Sequence, residues 1–158
     1  MKISTVIPSY GAPNSLKELH SRLIATFAQL NCQYEIIFVN DACPKNSWTK
    51  IQEICALDPH TKGLNLARNF GQHAAISAGL SQCTGDWITV MDCDLQDDPK
   101  YIPQFLQKAG STYDVVLARR THREEKFFKK LQSWLFYKFL SAFLDVKMDH
   151  QVGNYGLY

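Results

Sequence analysis

Apolar positions along this chain follow two alternating periods. Ile3, Thr5, Val6 and Ile7 make a short β-branched run closed by Pro8, which reads as a buried strand because proline cannot continue a central ladder. Leu16, Leu19, Leu23, Ile24 and Phe27 then recur at helical spacing. Asn14 or Ser15 is placed to cap that helix, with Glu18 where a capping box on Ser15 needs it. The same reading predicts strands at 35–40, 63–67, 87–91 and 114–118, and helices at 48–57, 72–81 and 99–108. Ala74, Ala75, Ala78 and Gly79 suit a helix packed closely on a sheet. Strands that alternate with helices imply right-handed crossovers and a mostly parallel sheet flanked by helices, hence an α/β fold. The last ten residues complete no obvious element, so residues 1–158 are expected to be one domain, truncated at its C-terminal end.

In such sheets ligands sit outside the carboxyl ends of the strands. The residues there are unusually polar: 8–11, 40–43, 68–71, 92–98 and 119–123. After the strand at 87–91, Asp92, Asp94, Asp97 and Asp98 place four carboxylates within seven residues. Carboxylates so crowded repel one another, and a divalent cation is the usual means of keeping them ionised together. Oxygen donors without a matching His or Cys set favour Mg²⁺ or Mn²⁺ over Zn²⁺. If the segment continues as a strand, Asp92, Asp94 and Gln96 share one face while Cys93 and Leu95 point to the core. Asp98, just before Pro99, reads as the cap of the next helix. Arg68 precedes a helix whose first N–H groups suit an anion, so it is a candidate clamp on a nucleotide.

Composition narrows the function classes. With 158 residues, 46% of them hydrophobic, the chain is large enough to bury a core. A net charge of +2 argues against a nucleic-acid partner. Cys32, Cys43, Cys55, Cys83 and Cys93 are odd in number and form no CxxC pair, which suits a reducing cytoplasm. The N-terminus has no signal-peptide pattern, and the longest apolar stretch, 134–144, is too short to span a bilayer.

Five blocks in order carry a family resemblance: ISTVIPSY at 3–10, YEIIFVND at 34–41, LARNFGQHAAISAG at 66–79, WITVMDCDLQDDP at 87–99 and SWLFY at 133–137. Together they resemble the inverting GT-A-fold family 2 glycosyltransferases, the group of dolichol-phosphate mannosyltransferase and bacterial polyprenyl-phosphate (undecaprenyl-phosphate) sugar transferases. The resemblance implies a Rossmann-like nucleotide-diphospho-sugar transferase fold. It implies that Pro8, Tyr10 and Asp41 border the base and ribose, that Asp92 lies near ribose and phosphates, and that Asp94 with Gln96 holds the metal. Arg119 matches a family arginine near a phosphate. The acceptor-side loop corresponds to residues 149–155, and Asp149 is the candidate base if the acceptor is a sugar hydroxyl. The chain departs from the family pattern at Gly11 and Ala12, at Asn40, at Ala42 and Cys43, and at Asn154.

Between Arg119 and Lys130 six basic residues face two acidic ones, and an aromatic-rich helix pattern follows from Phe127 to Leu144. That combination suits a membrane interface or packing on the sheet with lysines reaching outward. The expected donor is a UDP-, GDP- or dTDP-sugar, and the expected acceptor a lipid phosphate or glycan at the cytoplasmic face of the membrane. The sequence is compatible with a homo-oligomer. A phosphatase with paired aspartates is disfavoured by Leu95 and Gln96, and a nucleotidyltransferase by the lack of a Gly-rich basic loop in residues 9–14. A non-catalytic nucleotide-sugar-binding module, or transfer to a sugar hydroxyl in polysaccharide synthesis, is the alternative.

Overall fold

The computed structural model describes residues 1–110, 113–119 and 152–158. Strand β1 (Lys2–Ser9) lies at the centre, followed by helix α1 (Leu16–Leu30), β2 (Gln33–Asn40), α2 (Ser47–Leu57), β3 (Thr61–Asn65), α3 (Gln72–Leu80) and β4 (Trp87–Val90). A 3₁₀ turn (Pro99–Tyr101) leads into α4 (Ile102–Lys108), and then come β5 (Val116–Arg119) and β6 (Val152–Leu157). The six strands form one sheet in the order β3-β2-β1-β4-β6-β5. β1 pairs in parallel with both β2 and β4, and β2 in parallel with β3. Only β6 runs against its neighbours, β4 on one side and β5 on the other.

Helices cover both faces, so β1 and β2 must be apolar on both, and they are. In β2, Ile36 and Phe38 join the core beneath α1, α2 and α4, while Ile37 and Val39 pack with Ala75 of α3 on the opposite face. The first core takes Leu16, Leu19, Leu23 and Phe27 from α1, Ile51 and Ile54 from α2, and Ile102 and Phe105 from α4. Burying each such side chain contributes about 1.5–3 kcal/mol. α3 sits so close that a Cβ on Gly79 would lie 2.4 Å from Val6 Cγ1.

Several sequence expectations are corrected. The C-terminal residues do form an element: β6 carries buried Tyr155 and Leu157 and accepts a 2.8 Å hydrogen bond from Thr89 Oγ1 at the Gly156 carbonyl. The helix expected over 99–108 is divided. Pro103 has no N–H to donate to the Pro99 carbonyl, and the Ile102 N–H takes that acceptor in a tighter turn. Ser15 stands at the N-cap of α1 without capping it. Its hydroxyl instead meets the carbonyl oxygens of Ala12 (2.8 Å) and Cys93, while Glu18 pairs with Arg22. Of the four small residues on α3, Ala75 and Gly79 are buried, Ala78 is half-buried and Ala74 is exposed.

Among the described residues no helix is long and apolar enough to cross a membrane. The basic patch from Arg120 through Arg123, Lys126, Lys129 and Lys130, the aromatic stretch to Leu144, and Asp149 lie outside the described residues.

Candidate active site at the carboxyl ends of the strands

The strand order runs outward from β1 in both directions, so the β1–β4 boundary is where the chain's progression reverses. Crossovers leave on opposite sides there and open a crevice at the carboxyl ends. A cavity of about 310 Å³ occupies that place. Its walls are Pro8, Ser9 and Tyr10 at the end of β1, Asp41 after β2, Asn69, Gly71 and Gln72 at the entry to α3, and Asp92, Cys93 and Asp94 after β4. Five sequence candidates, Pro8, Tyr10, Asp41, Asp92 and Asp94, therefore meet in one cavity.

Asp41 is buried, and both its oxygens are engaged: Oδ1 accepts from the Phe70 N–H at 2.8 Å and Oδ2 from the Gly71 N–H at 2.9 Å. Two N–H groups just ahead of α3 thus hold the protein's own carboxylate. Gly71 reaches this position with φ of 90°, in the region glycine occupies at little cost. Arg68 does not line the cavity; its guanidinium lies 4.8 Å from the centre of the exposed Phe70 ring.

The carboxylate segment does not continue as a strand. Leu95 adopts φ of 67°, and the chain turns back so that the buried Asp97 carboxylate accepts from the Asp92 N–H at 3.0 Å. Asp94 Oδ1 accepts from the Gln96 N–H at 3.0 Å. The turn brings Asp92 and Asp94 to the cavity and buries Cys93 as expected, but Gln96 is exposed and does not line the cavity. Asp98 caps the 3₁₀ turn through the Lys100 N–H (3.1 Å). Burial would raise its pKa, but the hydrogen bonds and charge of Lys100 outweigh that and hold it below the ordinary value. The Tyr155 hydroxyl donates to the Asp98 carbonyl at 2.6 Å, so β6 braces the same segment.

Asn40 uses both ends of its amide, donating to Asn65 Oδ1 (2.7 Å) and accepting from the Cys43 N–H (3.3 Å), which a carboxylate could not do. Ala42 adopts φ of 50°, a strained conformation for a residue with a Cβ. The buried Cys43 thiol accepts from the Gly11 N–H at 3.1 Å and so fastens the loop after Tyr10. Burial would raise the Cys43 thiol, but hydrogen bonds from Ser47, Gly11 and Lys45 bring it below its usual value. Cys93, more deeply enclosed, is pushed up by burial.

Gln72, a cavity residue, lies outside the polar strand-end stretches and is not among the sequence candidates. Gln72 donates from Nε2 to Asp92 Oδ1 at 2.6 Å. The signal available was its place in the first turn of a helix that starts at a strand's carboxyl end. Arg119 ends β5, which runs parallel to β4 with β6 between them, so it stands at the same edge of the sheet as Asp92 without lining the cavity.

Among the described residues no group of three or more His, Cys, Asp or Glu side chains gathers around a metal position. Two carboxylates at one cavity wall still fit Mg²⁺ or Mn²⁺, which take few protein oxygens and complete their shell with water and substrate phosphates.

The family model described as "Glycosyl transferase family 2" matches residues 4–158. The chain is 38% identical over 156 residues to the undecaprenyl-phosphate 4-deoxy-4-formamido-L-arabinose transferase of Proteus mirabilis, covering 98% of this chain and 47% of that one. It is 36% identical over 158 residues to an uncharacterised glycosyltransferase of Bacillus subtilis, covering 99% and 49%. The chain thus spans about half the length of the curated relatives it matches. Among solved structures, a mannosyltransferase from Pyrobaculum calidifontis in complex with GDP-Man and Mn²⁺ superimposes with a TM-score of 0.64 at 16% identity, over 82% of this chain and 38% of that one. S. aureus TarS 1–349 in complex with UDP-GlcNAc superimposes with 0.60 at 20% identity, over 80% and 36%. These structures share the GT-A fold.

Proposed function

Because the chain belongs to glycosyl transferase family 2, we propose that it carries the donor site of a metal-dependent, inverting transferase moving sugar from a nucleotide-diphosphate sugar to a membrane-associated acceptor. The observation that carries this reading is the meeting of Asp41, Asp92 and Asp94 with Pro8 and Tyr10 in one cavity at the β1–β4 boundary. The nucleotide-sugar ligands of the two structural neighbours and the lipid phosphate in the name of the Proteus relative support it.

In this reading Pro8, Tyr10 and Asp41 receive the nucleoside. Asp92 and Asp94 are the residues that would hold Mg²⁺ or Mn²⁺. The ion, when bound, supplies positive charge where the leaving group's negative charge develops. The acceptor oxygen attacks the anomeric carbon from the side opposite the nucleoside diphosphate. A C–O bond forms there as the bond to the diphosphate oxygen breaks, and the configuration inverts. Arg119, at the same sheet edge, is the proposed cation for a donor or acceptor phosphate. A polyprenyl phosphate is already anionic and needs no base; a sugar hydroxyl needs one, and Asp149 is the proposed candidate. A lipid-phosphate acceptor met by a nucleotide-sugar donor would put the proposed reaction at the cytoplasmic face of a membrane.

Thermal unfolding with Mn²⁺ and UDP, GDP or dTDP tests the donor site. A ligand at one hundred times its Kd stabilises by about 2.7 kcal/mol. One nucleotide is expected to raise the melting temperature further when Mn²⁺ is present than in EDTA, and Asp94→Asn to abolish that Mn²⁺-dependent increment. Stabilisation without turnover of the donor sugar would make the chain a binding module; no stabilisation by any of the three would refute the donor site.

A further inference from the structure

We propose that Gln72 is a positioning residue for Asp92 that sets the direction of its carboxylate toward the ion; this rests on the donor-site reading above. Gln72 opens α3 and lines the cavity, with Nε2 2.6 Å from Asp92 Oδ1. Its side chain is exposed and contributes nothing to the core, so its hydrogen bond is the structural feature that accounts for its placement.

The residue type fits the task. An amide donates a hydrogen bond to a carboxylate without cancelling its charge, whereas a lysine would neutralise the charge and a glutamate would repel it. The support behind Gln72 is rigid. The two residues before it donate their N–H groups to the buried Asp41, so α3 begins at a fixed distance from the end of β2. Asp94 is oriented differently, by its own turn through the Gln96 N–H. The two carboxylates at the cavity are therefore aimed by independent devices, one long-range through Gln72 and one local. Residues 70–72 also join the proposed nucleoside end of the cavity, at Asp41, to the proposed ion end, at Asp92. Groups that orient a ligating carboxylate typically change metal affinity about 10- to 100-fold when removed.

Gln72→Met keeps the length of the side chain and removes the donor. Binding of UDP, GDP and dTDP is measured by calorimetry with Mn²⁺ and again in EDTA, alongside the melting temperature of the metal-free chain. The expected result is a loss of about tenfold or more in Mn²⁺-dependent affinity, with affinity in EDTA and melting temperature unchanged. An unchanged Mn²⁺-dependent affinity would overturn the proposal. An equal loss with and without Mn²⁺, or a lowered melting temperature, would overturn it in favour of direct nucleotide contact or a structural role. If the unsubstituted chain shows no Mn²⁺-dependent binding, the donor-site reading fails and takes this proposal with it; binding by the unsubstituted chain with no effect of Gln72→Met sinks the positioning role alone.

Discussion

Glu35 has the most heavily hydrogen-bonded carboxylate of the described residues outside the cavity. Buried in β2, it accepts from Ser4 Oγ (2.6 Å), the Thr84 N–H (2.6 Å) and Thr84 Oγ1 (3.0 Å), and it pairs with Lys2 and Lys62. Burial alone would raise its pKa, but these partners carry it from 4.5 down to about 2. A carboxylate whose folded pKa lies below its unfolded value stabilises the protein above the unfolded pKa and ceases to do so as pH falls through the folded one. Glu35→Gln is thus expected to destabilise at pH 7 by about 2 kcal/mol, less than the full shift because both lysines are partly solvated. Denaturant curves should show the gap between the two proteins closing as pH drops from 4.5 toward 2. A gap of the same size at the acid end would contradict this account. Other residue-scale features were legible in sequence only in kind. Asp41 was recognisable as a polar residue closing an apolar strand, but its bonds to Phe70 and Gly71 link positions 29 and 30 residues away, and no local pattern encodes them.

At the scale of elements, period and burial agree wherever a segment is apolar for its own reasons. β1, β2 and α1 were readable because residues buried on both faces of a sheet, or along one helical stripe, leave a regular trace. β6 left none. Its sequence, Val-Gly-Asn-Tyr-Gly-Leu, has no β-branched run, and it exists as a strand because β4 and β5 supply hydrogen bonds on both sides. Gly156 belongs to that pairing: a Cβ there would lie 2.7 Å from both Leu117 Cδ2 and the Val116 carbonyl oxygen. α3 makes the same point against β1 and β2. Gly79→Ala would set a methyl 2.4 Å from Val6 Cγ1 and 3.1 Å from Val39 Cγ2. It is expected to cost about 1–3 kcal/mol in urea unfolding despite alanine's better helix propensity. A stabilised Gly79→Ala protein would mean that α3 is free to back away from the sheet.

Across the whole molecule the sheet is the organising element, and the question is whether β6 belongs to the same cooperative unit as β1. Leu157 of β6 is as fully buried as Leu23 of α1, in one continuous core. Leu157→Ala should therefore lower stability by about 2–5 kcal/mol, as Leu23→Ala should, with a single unfolding transition in each case. A separate early transition in the Leu157→Ala protein would show that β6 frays independently. The cavity depends on this integrity, because Tyr155 of β6 bonds the carbonyl of Asp98 and closes the segment that carries Asp92 and Asp94.

The strand–helix alternation, the sheet edge at which chemistry gathers and the aspartates that stand there are all readable along the chain, because hydrophobic period and strand-end polarity are local properties. Packing of the elements against one another makes the carboxylate segment turn at Leu95, gives Asp41 the N–H groups of Phe70 and Gly71 just ahead of α3, brings Gln72 to Asp92, and draws residues 152–157 into the sheet. Three of these are contacts between segments far apart in the chain, and the segment that turns at Leu95 is braced by Tyr155 of β6, so their free energies appear only when the elements pack.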